Sequence, residues 1–279
     1  MQRILSSDLP AHVGRPVTIA GWVHRRRVLK SVAFLIVRDA GGLAQVVVRG
    51  ADPRAMLEAL TEERVVEVDG TVAANPAAPG GVELVDPAVR TPGGLAVPPP
   101  FDLYRPSVAA SLPTRLDHAA VALRHPAQQA VFRASAAAVR GFRSTLDAAG
   151  FVEVHTPKIV ASATESGANV FAIDYFGRPA FLAQSPQFYK QMLVGVFSRV
   201  YEVGPVFRAE PHDTARHLAQ YTSLDVELGF IDDHRDVMAV LRDVLAGMMP
   251  AITSRSTFIT SRWSEMKPIS ASSEVYSAR

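Results

Sequence analysis

The sequence contains no cysteine, so disulfide staples and thiolate metal sites are excluded. No run approaches the roughly 20 apolar residues that span a bilayer. The opening stretch MQRILSSDLPAHVG meets polar residues too early for the apolar region of a signal peptide. Neither GxGxxG after a strand nor GxxxxGK[ST] occurs, so Rossmann and P-loop nucleotide binding are not indicated. The nucleophile elbow GxSxG and the zinc motif HExxH are also missing. There is no internal repeat and no low-complexity tract. What is present is ordinary for a globular chain: 279 residues, 48% hydrophobic, 20% charged, net charge +2. These values lead us to expect a cytoplasmic protein of two domains with no membrane partner.

Within a first domain taken as 1–90, residues 17–90 read as short strands separated by turn signals. VTIAGWVHRRR alternates, VAFLIVRD is an apolar run, AGGL turns and LAQVVVR runs back. DPRAMLEAL offers Asp52 as an N-cap with Pro53 at the first helical position. RVVEVDGTVAA and VELVDPAVR supply two more strands. Three strands, a short helix and two strands is the order of a five-stranded OB-type barrel. Residues 91–125 open on TPGGLAVPPPFDLYRPS, are poor in period and rich in proline, and read as a linker or hinge. From 126 to 249 a helix near 127–149 ends at Gly150. A strand broken by Pro157, further strands and the helix QFYKQMLVGVF follow, as in an antiparallel α+β domain. Residues 250–279 are serine-rich and lack a clear period, so we expect a disordered tail unrelated to the domain before it.

The segment FRAEPHDTARHL (207–218) concentrates charge between two strand-like stretches. It reads either as a solvated hairpin loop or as a site for an anion. His212, Asp213 and His217 lie within it, but no metal-ligand spacing supports them. QSPQFYKQML puts Ser185, Gln187 and Lys190 at the start of a helix. The bland reading is a capped surface helix; the functional one is a fixed cation with amide donors for a small anion. HRRRVLK (24–30) ends a strand and would by itself be a solvated edge. Period-two alternation places Trp22, His24 and Arg26 on one face, with Phe34 on the next strand. Cations beside aromatic platforms on an OB-type sheet suit single-stranded nucleic acid.

AGWVHRRR…FLIVRDAGGLAQVVV, FVEVHTPKIVASATESGA, FLAQSPQFYKQML and YEVGPVFRAE…TARHL…LDVELGFI occur in that order. Together they resemble a class IIb aminoacyl-tRNA synthetase, most nearly the aspartyl enzymes of the shorter archaeal-type branch. The resemblance covers about residues 1–248 and implies an OB-fold anticodon-binding barrel followed by a class II catalytic domain. It implies that L-aspartate and ATP form aspartyl-adenylate, and that the aspartyl group then moves to tRNA(Asp). Arg208 matches the arginine that holds the α-phosphate and stabilises charge built up at phosphorus. Ala209 and Glu210 fall in the ATP-binding set, Glu210 at the adenine amino group, and Arg216, His217 and Leu218 at the triphosphate. Glu165, Ser185, Gln187, Lys190 and Arg208 match the aspartate-holding set; Lys190 would meet the side-chain carboxylate and disfavour asparagine. His24, Arg26, Phe34, Gln45 and Pro79 match anticodon-reading positions. His24 and Pro79 resemble the relaxed version that also accepts tRNA(Asn). The helix at 127–149 and the strand to Pro157 resemble the element through which the family forms homodimers.

The resemblance also implies a third motif with a closing arginine, and Mg2+ held by acidic and polar ligands between the second and third motifs. Neither is recognisable in this sequence, where the likeness stops near Gly247–Met249. Two readings remain open. One is an aspartate–tRNA ligase whose own exchange activity is little or none; the other is a non-catalytic tRNA-binding paralogue that uses the barrel alone.

Overall fold

The computed structural model describes residues 2–29, 32–50, 55, 57–164, 169–212, 214 and 216–264, the side chains of 251 and 254–264 excepted. The chain divides into two compact units, one built on Met1–Val131 and one on Phe132–Thr257.

In the first unit five strands close into a barrel: β1 (Pro16–Val28), β2 (Val32–Asp39), β3 (Gly42–Arg49), β4 (Val65–Ala74) and β5 (Val82–Arg90). Their order is β1-β2-β3-β5-β4, with β4 returning to β1 and only β3 and β5 running parallel. This is the OB topology expected from the strand order. Alternation sends Val17 and Ile19 of β1, Leu35 and Val37 of β2, Val46 and Val48 of β3 and Val66 and Val68 of β4 into one core. Each such side chain contributes on the order of 1.5–3 kcal/mol by leaving water. Gly21 is required where β1 meets β2, because an added Cβ would lie 2.2 Å from the Arg38 carbonyl oxygen. Helical backbone occurs at 55, 57 and 58, while Asp52 and Pro53 lie outside the described residues.

Two expectations for this unit are corrected. The alternation of Trp22, His24 and Arg26 is interrupted by a β-bulge, because the β1–β2 register shifts between Val23 and Arg25. One extra residue on β1 moves every later side chain to the opposite face. Residues 91–125 are also more than a linker. They carry two short helices, α1 (Leu112–Asp117) and α2 (Ala119–Ala122), and a cluster of Phe101, Leu103 and Ala122 with Val108, Ala110 and Val121. The segment is tied to the barrel: Thr61 Oγ1 donates to the Ala96 carbonyl at 2.8 Å, the Arg25 guanidinium stands 4.4 Å from the Tyr104 ring, and Arg124 pairs with Glu63. Proline-rich sequence hides these contacts because it has no period.

The second unit takes most of α3 (Pro126–Ala148), then β6 (Val152–Glu153), β7 (Ile159–Val160), β8 (Ala172–Tyr175), β9 (Arg178–Leu182), α4 (Gln187–Phe197), β10 (Arg199–Phe207), β11 (Gln220–Leu228) and most of α5 (His234–Ser264). The helix and strand positions follow the sequence reading, with Gly150 at φ +78 after α3. The strands form two three-stranded sheets, β11-β10-β6 and β7-β9-β8. The β10–β11 and β8–β9 pairs are antiparallel, whereas β6 runs parallel to β10. Phe142 and Leu146 of α3 meet Phe151, Tyr201 and Val244 in a small core. The helices α3 and α5 approach so closely that a Cβ on Gly247 would lie 2.0 Å from Thr145 Oγ1. The disordered tail is corrected over 250–264, which continue α5. Pro250 and the Ser/Thr run lower helix propensity, so no helical signal shows in the sequence. Residues 265–279 lie outside the described residues.

Candidate functional site

The charged cluster 207–218 is the loop of the β10–β11 hairpin, whose register runs from Arg199 opposite Leu228 to Phe207 opposite Gln220. Past the strand end, the Arg208 amide donates to the Ala219 carbonyl at 3.0 Å and the Ala209 amide to the Asn169 carbonyl at 3.1 Å. These bonds fix the base of the loop, where Arg208, Ala209 and Glu210 are half-buried. His212, Thr214, Arg216, His217 and Leu218 are exposed at its tip. The His212 and His217 rings lie 5.1 Å apart, and Thr214 Oγ1 is 2.7 Å from His217 Nδ1. Asp213 lies outside the described residues. Among the described residues no group of three or more His, Cys, Asp or Glu side chains could hold a metal ion.

Ahead of α4, Thr164 Oγ1 accepts from the amides of Gln184 (3.1 Å) and Ser185 (3.2 Å), and Ser185 Oγ accepts from the Gln187 amide at 3.3 Å. This pinned entry sets Lys190 one turn into the helix, where it is 5% exposed. Its Nζ stands 3.1 Å from Asp225 Oδ1 and 3.4 Å from Glu227 Oε2. Both carboxylates alternate along β11 with Val226 and Leu228, which join the core on the other side. Glu202 lies opposite Asp225 in register. It accepts from the Thr156 amide (2.9 Å) and hydroxyl (2.8 Å) and pairs with Lys158 at 3.0 Å. One sheet face therefore carries three carboxylates against two lysines. That arrangement can hold a small molecule bearing both a carboxylate and an ammonium, by exchange of ion-pair partners. Lys190 came from the sequence; Asp225, Glu227 and Glu202 did not, although the period-two acids in LDVEL were the available signal. Glu165 lies outside the described residues.

On the barrel, Phe34 pairs with Arg27 and Val47, and Gln45 with Ile36 and Glu83. Register thus puts Phe34, Gln45, Arg27 and Glu83 on one outer face. Gln45 Nε2 donates to Glu83 Oε2 at 2.9 Å, and Asn75 Nδ2 donates to the same oxygen at 2.7 Å. Glu83 and Asn75 were not singled out from the sequence. Arg26, paired with Leu35 after the bulge, does not join that face; its Nη1 donates to the carbonyls of Leu57 (3.0 Å) and Glu58 (2.8 Å). Pro79 stands half-buried in the turn Pro79–Gly81 between β4 and β5. His24 is 6% exposed and accepts at Nδ1 from Arg38 Nη1, 3.1 Å away. Arg38 in turn makes two 2.8 Å bonds to Glu63, which also takes Arg124 at 2.6 Å. Burial, then the Arg38 charge, lower the His24 pKa to about 4. Burial pushes the Glu63 carboxyl up, but the hydrogen bonds from Arg38 and Arg124 outweigh it and hold the group below its ordinary value.

A closed OB barrel ahead of an α+β unit with a charged β-hairpin loop defines a nucleic-acid-binding module joined to a class II synthetase fold. A family model described as OB-fold nucleic acid binding domain matches residues 17–91. One described as tRNA synthetases class II (D, K and N) matches residues 111–277, and the chain belongs to that family. The Aspartate–tRNA(Asp/Asn) ligase of Deinococcus radiodurans is 44% identical over 256 residues, covering 92% of this chain and 58% of that protein. The ligase of the same name from Thermus thermophilus is 44% identical over 247 residues, with 88% and 57% covered. Asparaginyl-tRNA synthetase from Pyrococcus horikoshii, solved with asparaginyl-adenylate, superposes with a TM-score of 0.85 at 27% identity, covering 96% of this chain and 61% of that one. The chain spans less than two thirds of the length of these relatives.

Proposed function

We propose that this chain serves aspartyl-tRNA formation: its second unit takes L-aspartate and ATP, and its barrel takes the anticodon of tRNA(Asp) and of tRNA(Asn). The observation that carries the reading is Lys190, a buried cation held against Asp225 and Glu227 beside the QSPQ loop. Aspartate complements it: the side-chain carboxylate meets Lys190 and the ammonium meets the acidic face. Asparagine in the same place leaves the lysine without its carboxylate. Arg208 and Glu210 at the hairpin base take the α-phosphate and the adenine, and Arg216 and His217 at the tip take the outer phosphates. Glu165, Ser185 and Gln187 complete the aspartate-holding set. On the barrel, His24, Phe34, Gln45 and Pro79 contact the anticodon, with Arg27 in place of Arg26 on the face that Phe34, Gln45 and Glu83 share. Mg2+ accompanies ATP in this reading, and no step is assigned to it. Exposed Val131 and Phe132 on α3 suit a homodimer; the cytoplasm is the compartment this reading expects, and among the described residues no helix is long and apolar enough to cross a membrane.

A non-hydrolysable aspartyl-adenylate analogue titrated calorimetrically should bind at least tenfold more tightly than its asparaginyl counterpart, a gap of about 1.4 kcal/mol. Lys190→Ala should remove the preference. Aspartate-dependent ATP–pyrophosphate exchange then reports whether the site also turns over. Equal binding of the two analogues would overturn the aspartate assignment. Binding of neither, with anticodon hairpins still bound, favours the second reading, a tRNA-binding module; the closed barrel core supports it.

A further inference from the structure

We propose that Glu202 is a positioning residue of the amino-acid site: it keeps the Lys158 ammonium off Asp225, so that the β11 acids stay available to the ammonium of the substrate. The inference rests on the aspartate reading above and assigns the acceptor for that ammonium. The charges on this sheet face divide into a closed pair and an open set. Glu202 is 2% exposed and both its oxygens are engaged. Its Oε1 accepts from the Thr156 amide at 2.9 Å and from Lys158 at 3.0 Å, and its Oε2 accepts from the Thr156 hydroxyl at 2.8 Å. Lys158 spends a second hydrogen on Thr156 Oγ1, 3.1 Å away. The pair thus cancels its own charge and leaves neither carboxylate oxygen unpartnered. In the open set Asp225 and Glu227 share one lysine, Lys190, at 3.1 Å and 3.4 Å. Two carboxylates against one cation leave one negative charge in excess, which an ammonium satisfies.

Distance does not separate the pair from the open set. Glu202 and Asp225 are partners across β10 and β11, which sets their Cβ atoms roughly 5 Å apart. Gly204 is the next residue on that face of β10 and has no side chain to fill it. An added Cβ there would lie 3.2 Å from Glu202 Oε1 and 3.4 Å from Lys158 Nζ. The Lys158 ammonium therefore lies over bare backbone, diagonal to Asp225, at a separation that a long side chain spans. The Glu202 carboxylate and the Thr156 hydroxyl hold it back. With a neutral group at position 202 the ammonium would turn to Asp225, the adjacent carboxylate. The open set would then hold two cations for two acids, and the substrate ammonium would lose its acceptor.

Calorimetric titration of the full chain with the non-hydrolysable aspartyl-adenylate analogue, and with its deamino, succinyl counterpart, tests this. Glu202→Gln should weaken the aspartyl analogue roughly tenfold, the size of one hydrogen bond to a charged group. The succinyl analogue, which has no ammonium, should stay within about threefold of its affinity for the unsubstituted chain. Adding Lys158→Met to Glu202→Gln removes the competing cation and should bring the aspartyl analogue back to within about threefold. Equal loss of both analogues, or no recovery in the double variant, would make Glu202 purely structural and overturn the proposal. If Glu202→Gln does not fold, Lys158→Met alone gives the answer. It should bind the aspartyl analogue as tightly as the unsubstituted chain or more so; a tenfold loss would make Lys158 a ligand contact and overturn the proposal. The chain has four lysines, Lys30, Lys158, Lys190 and Lys267, so 1H–15N spectra of the side-chain ammonium groups add a readout that needs no ligand. Asp225→Asn should shift the Lys158 signal in the Glu202→Gln background and not in the parent. A shift in both backgrounds, or in neither, overturns the proposal. If the unsubstituted chain binds neither analogue, the aspartate reading itself fails, while the spectra still judge the positioning.

Discussion

The two units bury their apolar residues differently. Among the described residues, the barrel closes on itself and keeps eighteen buried residues in one cluster, whereas the main core of the second unit has five. In that unit Phe188, Met192 and Val196 form an i, i+4, i+8 stripe on α4, and Met238, Leu241, Leu245 and Met249 form another on α5, all exposed. Both units nevertheless bury one carboxylate in an ion-pair network, Glu63 in the first and Glu202 in the second. Apolar burial separates the units, and polar burial does not. A closed sheet satisfies its edges internally; an open one leaves β11 as an edge strand and relies on whatever covers its helices.

The largest effects should therefore come from the carboxylates, in both units alike. Glu63→Ala strands Arg38, and Glu202→Ala strands Lys158 beside Thr156. Glu63→Ala should cost roughly 3–5 kcal/mol, because Arg38 is left buried and uncompensated. Glu202→Ala should fall toward the lower end of that range, because Lys158 is partly exposed. Two units unfold as two transitions, so calorimetry should show each variant lowering a different one. If one substitution lowered both equally, the units would be a single cooperative block. Next in size is the apolar contrast: Leu35→Ala in the barrel should cost about 2–5 kcal/mol, while Met192→Ala on α4 should stay within about 0.5 kcal/mol. A large loss from Met192→Ala would mean that the α4 stripe is covered in solution.

Acid should sharpen the difference further. His24 has a folded pKa of about 4 against an ordinary value of 6.5. Below pH 6.5 the unfolded chain takes up a proton that the folded barrel refuses. Stability of the first unit therefore falls as pH drops from 6.5 to 4, by on the order of 3 kcal/mol at most. Glu63, held below its ordinary 4.5, adds a loss that sets in under that pH. His24→Gln should flatten the barrel transition between pH 6.5 and 4 and leave the second unit's profile unchanged. An unaltered slope would mean that the ring protonates freely in the folded state.

Where the sequence was legible, a period carried the information. The barrel strands, α3 and α4 all show it, and α4 begins and ends at the residues the pattern marks. The site was legible where residue type alone was enough, as for Lys190 and the charged hairpin loop. It was not legible where placement depends on register. The bulge at His24 is one unmarked residue, yet it takes Arg26 away from Phe34 and brings Arg27 to it. The partners of Lys190 lie 35 and 37 residues away on another element, beyond the reach of any local pattern. Residues 91–125 escaped notice because proline-rich chain can fold against a barrel without repeating anything.

The smallest effect isolates burial from chemistry. Arg143 and Glu153 repeat the two-pronged arginine–carboxylate geometry of Arg38 and Glu63, with Nη2 at 2.8 Å from Oε1 and Nε at 3.1 Å from Oε2. Their side chains are 40% and 25% exposed, against 6% for each partner of the barrel pair. Water already solvates both charges, so the ion pair should contribute only about 0.2–1 kcal/mol. Hydrogen bonding from Arg143 still holds the Glu153 carboxyl below its ordinary value, the direction a favourable pair requires. Glu153→Gln keeps an acceptor for the Tyr201 hydroxyl, which also donates to Asp147 at 2.7 Å. The substitution therefore removes charge without stranding a neighbour, and its cost should shrink further in 0.5 M salt as the remaining Coulomb attraction is screened. The cost of Glu63→Gln should vary less over the same salt range, because Glu63 and its partner Arg38 are buried, while Arg124 alone is open to mobile ions. Equal salt sensitivity in the two variants would show that burial is not what separates them.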